Sequence, residues 1–162
     1  MGLTTQVENS SRNEPNPGAQ AGARQVFEEL GLYDAEDATF ADLGSGVGKL
    51  VAQAYLELGV NAAGVELSRT RHDRGVEAMK RLAADERVEG LRPGAAAALP
   101  GLLRHGDLLA ERPKLEATHA YVASLLFDEP MTERLGAALD ETGVVRFAAL
   151  RRRRGSFCRG RR

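Results

Sequence analysis

Apolar and polar positions along this chain switch repeatedly between helical and strand rhythms. In "ARQVFEELGL", residues 23–32, Val26, Phe27, Leu30 and Leu32 recur at helical spacing and Gly31 lies near the end, which predicts a short helix. "TFADL" at 39–43 is a strand-type run that feeds directly into a cluster of glycines. In "KLVAQAYLELG" the helical spacing returns through Leu50, Val51, Ala54, Leu56 and Leu58, with Gly59 as the stop. A second strand is predicted at 63–67, apolar apart from Glu66 near its carboxyl end, and Ser68 is placed to cap a long polar helix over 69–87. The segment 88–101, "VEGLRPGAAAALPG", reads as a loop or low-complexity insertion. Further strands are predicted in 102–109, ending at Gly106-Asp107, in 118–127 and in 143–150. A helix over 128–141, with Pro130 in its first turn, separates the last two.

Strands alternating with helices predict an α/β fold: a mostly parallel sheet of five short strands, helices on both faces, right-handed crossovers. Ligands of such sheets bind beyond the carboxyl ends of the strands. Asp42, Glu66, Asp107 and the segment from Tyr121 to Ser124 all fall at those ends, so four chemically loaded positions share one rim. Residues 1–20 are polar and rich in Asn, Ser, Pro and Gly, which predicts disorder. The expected layout is a disordered 1–20, a folded domain over 21–150 and a basic disordered tail over 151–162.

Composition narrows the setting. The 162 residues are 43% hydrophobic and 28% charged, ordinary for one globular domain. No apolar run reaches the roughly 18–20 residues of a membrane helix, and the N-terminus lacks the pattern of a secretory signal, so neither membrane nor secretion is expected. The single cysteine, Cys158, excludes an internal disulfide or a cysteine metal cluster, and no metal site is expected. The net charge of −1 hides an asymmetry. Seven arginines and no acid occupy the last twelve residues, leaving about −8 on residues 1–150. The tail therefore carries the charge for nucleic-acid phosphates, although a plain disordered end is the simpler reading.

The decisive stretch is "DLGSGVGKL", 42–50. A phosphate loop would need glycine where Leu43 stands and a hydroxyl where Leu50 stands. A dinucleotide fingerprint would need glycine at Lys49. The pattern acid-x-Gly-x-Gly-x-Gly fits completely through Asp42, Gly44, Gly46 and Gly48. A carboxylate directly before such a loop repels a pyrophosphate and suits a cation. Glu66 follows 24 residues after Asp42, at the end of the next strand, where an acid can accept from ribose hydroxyls.

This first motif resembles that of class I S-adenosylmethionine-dependent methyltransferases, whose fold is Rossmann-like. More narrowly, "FADLGSGVGKLVAQAYLELGVNAAGVELS" resembles the non-SET histone-lysine methyltransferases of the disruptor-of-telomeric-silencing family. That family's D-L-G-S-G-V-G, G-V-E, G-D and V-x-x-x-x-F elements correspond to Asp42 to Gly48, Gly64 to Glu66, Gly106-Asp107 and Tyr121 to Phe127. The resemblance covers about residues 22–150 and implies S-adenosyl-L-methionine as cofactor. It implies that Asp42, Gly44, Ser45, Gly46, Gly48, Glu66 and Asp107 bind it, Asp107 receiving the adenine amino group. Tyr121, Ser124 and Phe127 would line the channel for the acceptor lysine. A protein substrate, histone or nucleosome, and a nuclear location follow if the acceptor is histone; otherwise the cytoplasm is expected. The chain departs from the family at Ala123-Ser124-Leu125, where an Asn-Asn-Phe type segment is usual, and in lacking the last strands beyond Leu150.

Methyl transfer rests on positioning and water exclusion, and no general base is evident. His72 and His105 read as surface residues, and Arg69, Arg71 and Arg74 as a solvated helix face. Two other readings stay open: a class I methyltransferase for another protein, RNA or a small molecule, and an inactive cofactor-binding module. A nucleotide-binding protein is disfavoured by the failed templates.

Overall fold

The computed structural model describes residues 17–111, 116–124, 127–141, 146–149 and 157–160. In chain order the elements are α1 (Pro17–Leu30), β1 (Thr39–Leu43), α2 (Lys49–Gln53), β2 (Asn61–Glu66), α3 (Arg69–Ala83), α4 (Glu86–Leu91) and α5 (Ala95–Ala98). There follow β3 (Leu103–His105), α6 (Leu108–Glu111), β4 (His119–Val122), α7 (Glu129–Asp140), β5 (Arg146–Ala149) and β6 (Phe157–Gly160). The sheet order is β3-β2-β1-β4-β5-β6. Strands β1 to β5 are parallel, and β6 runs antiparallel to β5. Chain order reverses at β1, flanked by β2 and β4, and that is where the glycine loop emerges.

Two cores cover the two faces, as a period of two along each strand requires. Phe40 of β1 and Ala62 of β2 face a core that includes Phe27, Leu30, Val51, Met79, Leu99 and Leu103. Phe27 meets Phe40 edge-on, ring centroids 5.9 Å apart. Ala41, Leu43 and Val65 face the second core, with Leu108, Val122, Leu135 and Leu139. Asp42 lies between Ala41 and Leu43, so it shares the face of Phe40. Register places Gly64 and Tyr121 on either side of Asp42, with Glu66 two positions along β2 on that same face.

Capping follows the sequence: Ser68 accepts from the Arg71 N–H at the start of α3, and Asp128 from the Met131 N–H at the start of α7. Four expectations are corrected. First, α1 begins at Pro17, so residues 17–20 are helical rather than disordered; residues 1–16 lie outside the described residues. Second, the segment read as a loop at 88–101 is largely helical and buries Val88, Ala95 and Leu99. Asp85 stops α3 early by capping α4. The alanine run has the propensity for a further turn, and Arg92 clamps the segment to the core. Its guanidinium stacks 3.8 Å from the Tyr55 ring centroid and donates to the Tyr55 and Val60 carbonyls. Third, after Gln53 the second helix widens into a π-helical turn, Ala54–Leu58, before Gly59 ends it at positive φ. Fourth, the basic tail is not wholly disordered: Phe157–Gly160 pairs with β5, so the sheet extends past the boundary expected at 150. That strand adds an edge which the basic composition of the tail had masked. No helix among the described residues is long and apolar enough to cross a membrane.

Candidate functional site

The rim is organised by the loop 44–48. Gly44, Gly46 and Gly48 all take positive φ, at 94°, 58° and 78°, which L side chains rarely adopt. The N–H groups of Gly44 and Ser45 both donate to the Val65 carbonyl at 2.8 and 2.9 Å. The Gly48 N–H donates to the Ser45 carbonyl at 2.8 Å, and the Gly46 N–H to Glu66 Oε2 at 2.8 Å. Four of the loop's five amides are therefore spent on the protein itself. A phosphate cradle needs those amides pointing at the ligand, so the geometry agrees with the failure of the phosphate-loop template in the sequence.

Two buried carboxylates stand beside this loop. Glu66 is 3% exposed and richly partnered. Its Oε1 accepts from the Ser68 N–H at 2.7 Å and from Arg71 Nε and Nη2 at 3.1 and 2.8 Å, while Oε2 takes the Gly46 N–H. Asp42 is 5% exposed, and no hydrogen bond or ion pair reaches its carboxylate from any described residue. Burial, and after it the charge of Glu66, push its pKa up to about 7. A buried carboxylate without a partner is costly. Set beside a loop whose amides turn away, its ionised form suits a cation rather than a phosphate.

The remaining predicted residues divide. Tyr121 sits in register with Asp42, half-buried. Its hydroxyl is raised above the usual phenol value by burial, then by the charges of Asp42 and Glu29, so it stays neutral and able to donate. Ser45 is buried against Gly64, where an added Cβ would lie 2.6 Å from that of Ser45, and its Oγ has no partner among the described residues. Ser124 is buried one residue beyond the exposed Ala123, after β4 has ended at Val122. Phe127 packs with the second core rather than with the face of Tyr121. Asp107 is exposed beyond β3 and accepts from the Leu109 N–H at 2.9 Å. The neighbouring Gly106 N–H donates to the Glu66 carbonyl, which ties this turn to the rim.

These features are those of a methyltransferase rim, and the chain matches the family described as "Histone methylation protein DOT1" over residues 21–142. The chain belongs to that family. A relative from Emericella nidulans, named "Histone-lysine N-methyltransferase, H3 lysine-79 specific", is 31% identical over 114 residues. That match covers 70% of this chain and 21% of the relative, so the chain spans about a fifth of the relative's length. Among solved structures, geranyl diphosphate C-methyltransferase from Streptomyces coelicolor A3(2) is similar at a TM-score of 0.58 and 19% identity, over 82% of this chain and 46% of that one. An RNA methyltransferase from Salinibacter ruber is similar at 0.53 and 21%, over 85% and 76%. At such identities the likeness is one of fold, and the fold is the Rossmann-like fold of class I methyltransferases.

Within the DOT1-family core, sequence reasoning missed two arrangements. Arg71, expected on a solvated helix face, instead pairs with the buried Glu66. Its signal was available, because a residue three places after the N-cap Ser68 rises beside the strand end it follows. His72 and His105, expected as surface residues, bring their rings to 5.7 Å, with the His72 Nδ1 buried and without a partner among the described residues. Only the β2–β3 register, which sets His105 opposite Glu66, could have revealed that pair.

Proposed function

We propose that this chain binds S-adenosylmethionine at the rim formed by Asp42, the 44–48 loop and Glu66, as the core of a non-SET histone-lysine methyltransferase. The observation that carries the reading is the buried, unpartnered Asp42 beside a loop with its amides turned inward. That combination rejects phosphate and fits the cationic amino acid end of the cofactor. When bound, the cofactor supplies an electrophilic methyl group on a sulfonium.

The chain's residues then divide the work. Asp42 takes the cofactor's ammonium, and Gly44, Ser45, Gly46 and Gly48 let it approach the backbone. Glu66 accepts from the ribose through Oε2, which carries only the Gly46 N–H. Asp107 keeps one carboxylate oxygen for the adenine amino group beyond its bond to Leu109. Tyr121 and Ser124, with Phe127 behind them, border the side from which the acceptor enters. An amine desolvated there loses its proton more readily, so no dedicated base is required. A histone as acceptor follows the name of the Emericella nidulans relative. With it go a nuclear location and contact of the arginines in 151–162 with nucleosomal DNA.

Titration calorimetry with S-adenosylhomocysteine, ATP and NAD tests the cofactor: binding in the micromolar range is expected for the first alone. ATP binding without a response to S-adenosylhomocysteine would overturn the reading. Radiolabelled methyl transfer to nucleosomes, free histones and RNA tests the acceptor, with label expected in the nucleosome. A second reading is favoured by Ala123 and Ser124 in place of the family's Asn-Asn segment: a different acceptor, or binding without transfer. Label on RNA supports the former, and no label on any acceptor the latter.

A further inference from the structure

Helix α3 carries a glycine, Gly75, in its middle, where glycine costs about 1 kcal/mol relative to alanine. The residue is buried, and what lies against it is the glycine loop. A Cβ added at Gly75 would stand 3.1 Å from both the carbonyl carbon and the oxygen of Val47, and 2.8 Å from Leu103 Cδ1. One turn on, the same face of α3 presents Met79, whose Cε would lie 2.9 Å from a Cβ at Gly48. The Leu103 Cδ atoms would lie 2.7 Å from it. Gly75, Met79 and Leu103 together form the seat on which the Val47-Gly48 half of the loop rests. The other half hangs from β2 through the Val65 carbonyl and Glu66.

We propose that Gly75 is a positioning residue for the cofactor loop: its missing side chain lets α3 close against the Val47 backbone and fixes the height at which the loop meets its ligand. The inference rests on the S-adenosylmethionine reading above and extends it to the middle of α3, a helix whose first turn already reaches Glu66 through Arg71. The Leu103 contact is with the end of a flexible side chain and can give way. The Val47 contact is with backbone held at both ends, so the loop must lift.

Gly75→Ala tests this. Helix propensity alone would raise the melting temperature, whereas the proposal expects S-adenosylhomocysteine affinity to fall at least tenfold with the unliganded melting temperature little changed. Hydrogen exchange at the Gly48 amide should quicken while the β1 amides keep their protection, a change that lost core packing alone would not confine to the loop. In Gly75→Ala with Leu103→Ala, affinity should stay well below that of Leu103→Ala alone, because the Val47 contact persists. Equal affinity of Gly75→Ala and the parent, or full rescue by Leu103→Ala, would overturn the proposal. If Gly75→Ala does not fold, Leu103→Val, which trims the seat from below, should loosen binding at least threefold; unchanged affinity would overturn it. Failure of the parent chain to bind S-adenosylhomocysteine would instead sink the cofactor reading, so the two failures are separable.

Discussion

Asp42 and Glu66 end adjacent strands on one face of the sheet, and both are almost wholly buried, yet their surroundings are opposite. Glu66 is met by two backbone amides and a guanidinium, and it ties together β2, the glycine loop and the start of α3. Asp42 receives nothing from the described residues and holds its proton to about pH 7. One carboxylate is held by the rim's own donors, and the other is left without any; on the proposed reading that one meets the ligand's ammonium. Strain of that second kind is tolerated where function requires it. The contrast teaches that two acids in one motif can be told apart by which effect their loss produces, stability or binding.

The hardest test of that division is Glu66→Ala. It leaves the half-buried Gly46 and Ser68 amides without their acceptor, each costing up to about 1–3 kcal/mol. A loss of about 3 kcal/mol is expected in chemical denaturation, or roughly 10 °C in melting temperature, together with weaker cofactor binding. A loss below about 1 kcal/mol would mean that Glu66 does not organise the rim.

Asp42→Asn should behave in the reverse sense. S-adenosylhomocysteine binding should weaken about 50-fold in calorimetry, from the loss of a charge-assisted hydrogen bond of about 2–3 kcal/mol. Unliganded stability near pH 8 should hold or rise, because a buried, unpartnered charge has gone. A destabilisation comparable to that of Glu66→Ala would erase the comparison.

Acidity separates the two residues by a smaller margin. The folded pKa of Asp42 is raised from 3.8 to about 7, so the native state holds this proton more tightly than the unfolded chain. Its contribution to unliganded stability is therefore fully present below about pH 4 and is lost as pH rises through about 7. A cationic ligand needs the ionised form, and its affinity should climb about tenfold from pH 6 to pH 8, then level off. The charge facing the group is that of Glu66, the neutral Tyr121 hydroxyl lies beside it in register, and neither supplies a cation. Calorimetry in buffers of different ionisation enthalpy should detect the proton released on binding, and Asp42→Asn should flatten the profile.

Much of this rim was legible in the sequence because local rules governed it. The glycine spacing, the acid two places before Gly44 and the strand-end Glu66 are short-range patterns, and β1, β2 and α3 followed from them. What escaped depended on partners far along the chain. The 88–101 segment looked like a linker because Pro93 and Gly94 interrupt it, yet Arg92 reaches back to Tyr55 and Val60 to fix it. The strand at Phe157–Gly160 forms by pairing with β5, and nothing in an arginine-rich tail announces a sheet edge. The unpartnered state of Asp42 was equally invisible, since a sequence shows which residues carry charge and not which of them are left without donors.

Arg71 gives the finest cut between the two carboxylates. Its side chain is 62% exposed, so the pair with Glu66 contributes no more than about 1 kcal/mol, and Arg71→Ala should lower stability by about 0.5 kcal/mol. Its effect on binding should have the opposite sign. Oε1 of Glu66 already accepts three donors, the Ser68 amide and two from Arg71, whereas Oε2 accepts one. A ribose that engages both oxygens competes with Arg71, and removing the guanidinium returns Oε1 to the ligand. Affinity for S-adenosylhomocysteine should therefore tighten twofold to threefold in Arg71→Ala. High salt, which screens the exposed pair, should produce the same gain in the parent and none in the variant. A tenfold weakening instead would make Arg71 part of the binding machinery, and its guanidinium could then no longer be assigned to bracing Glu66 alone.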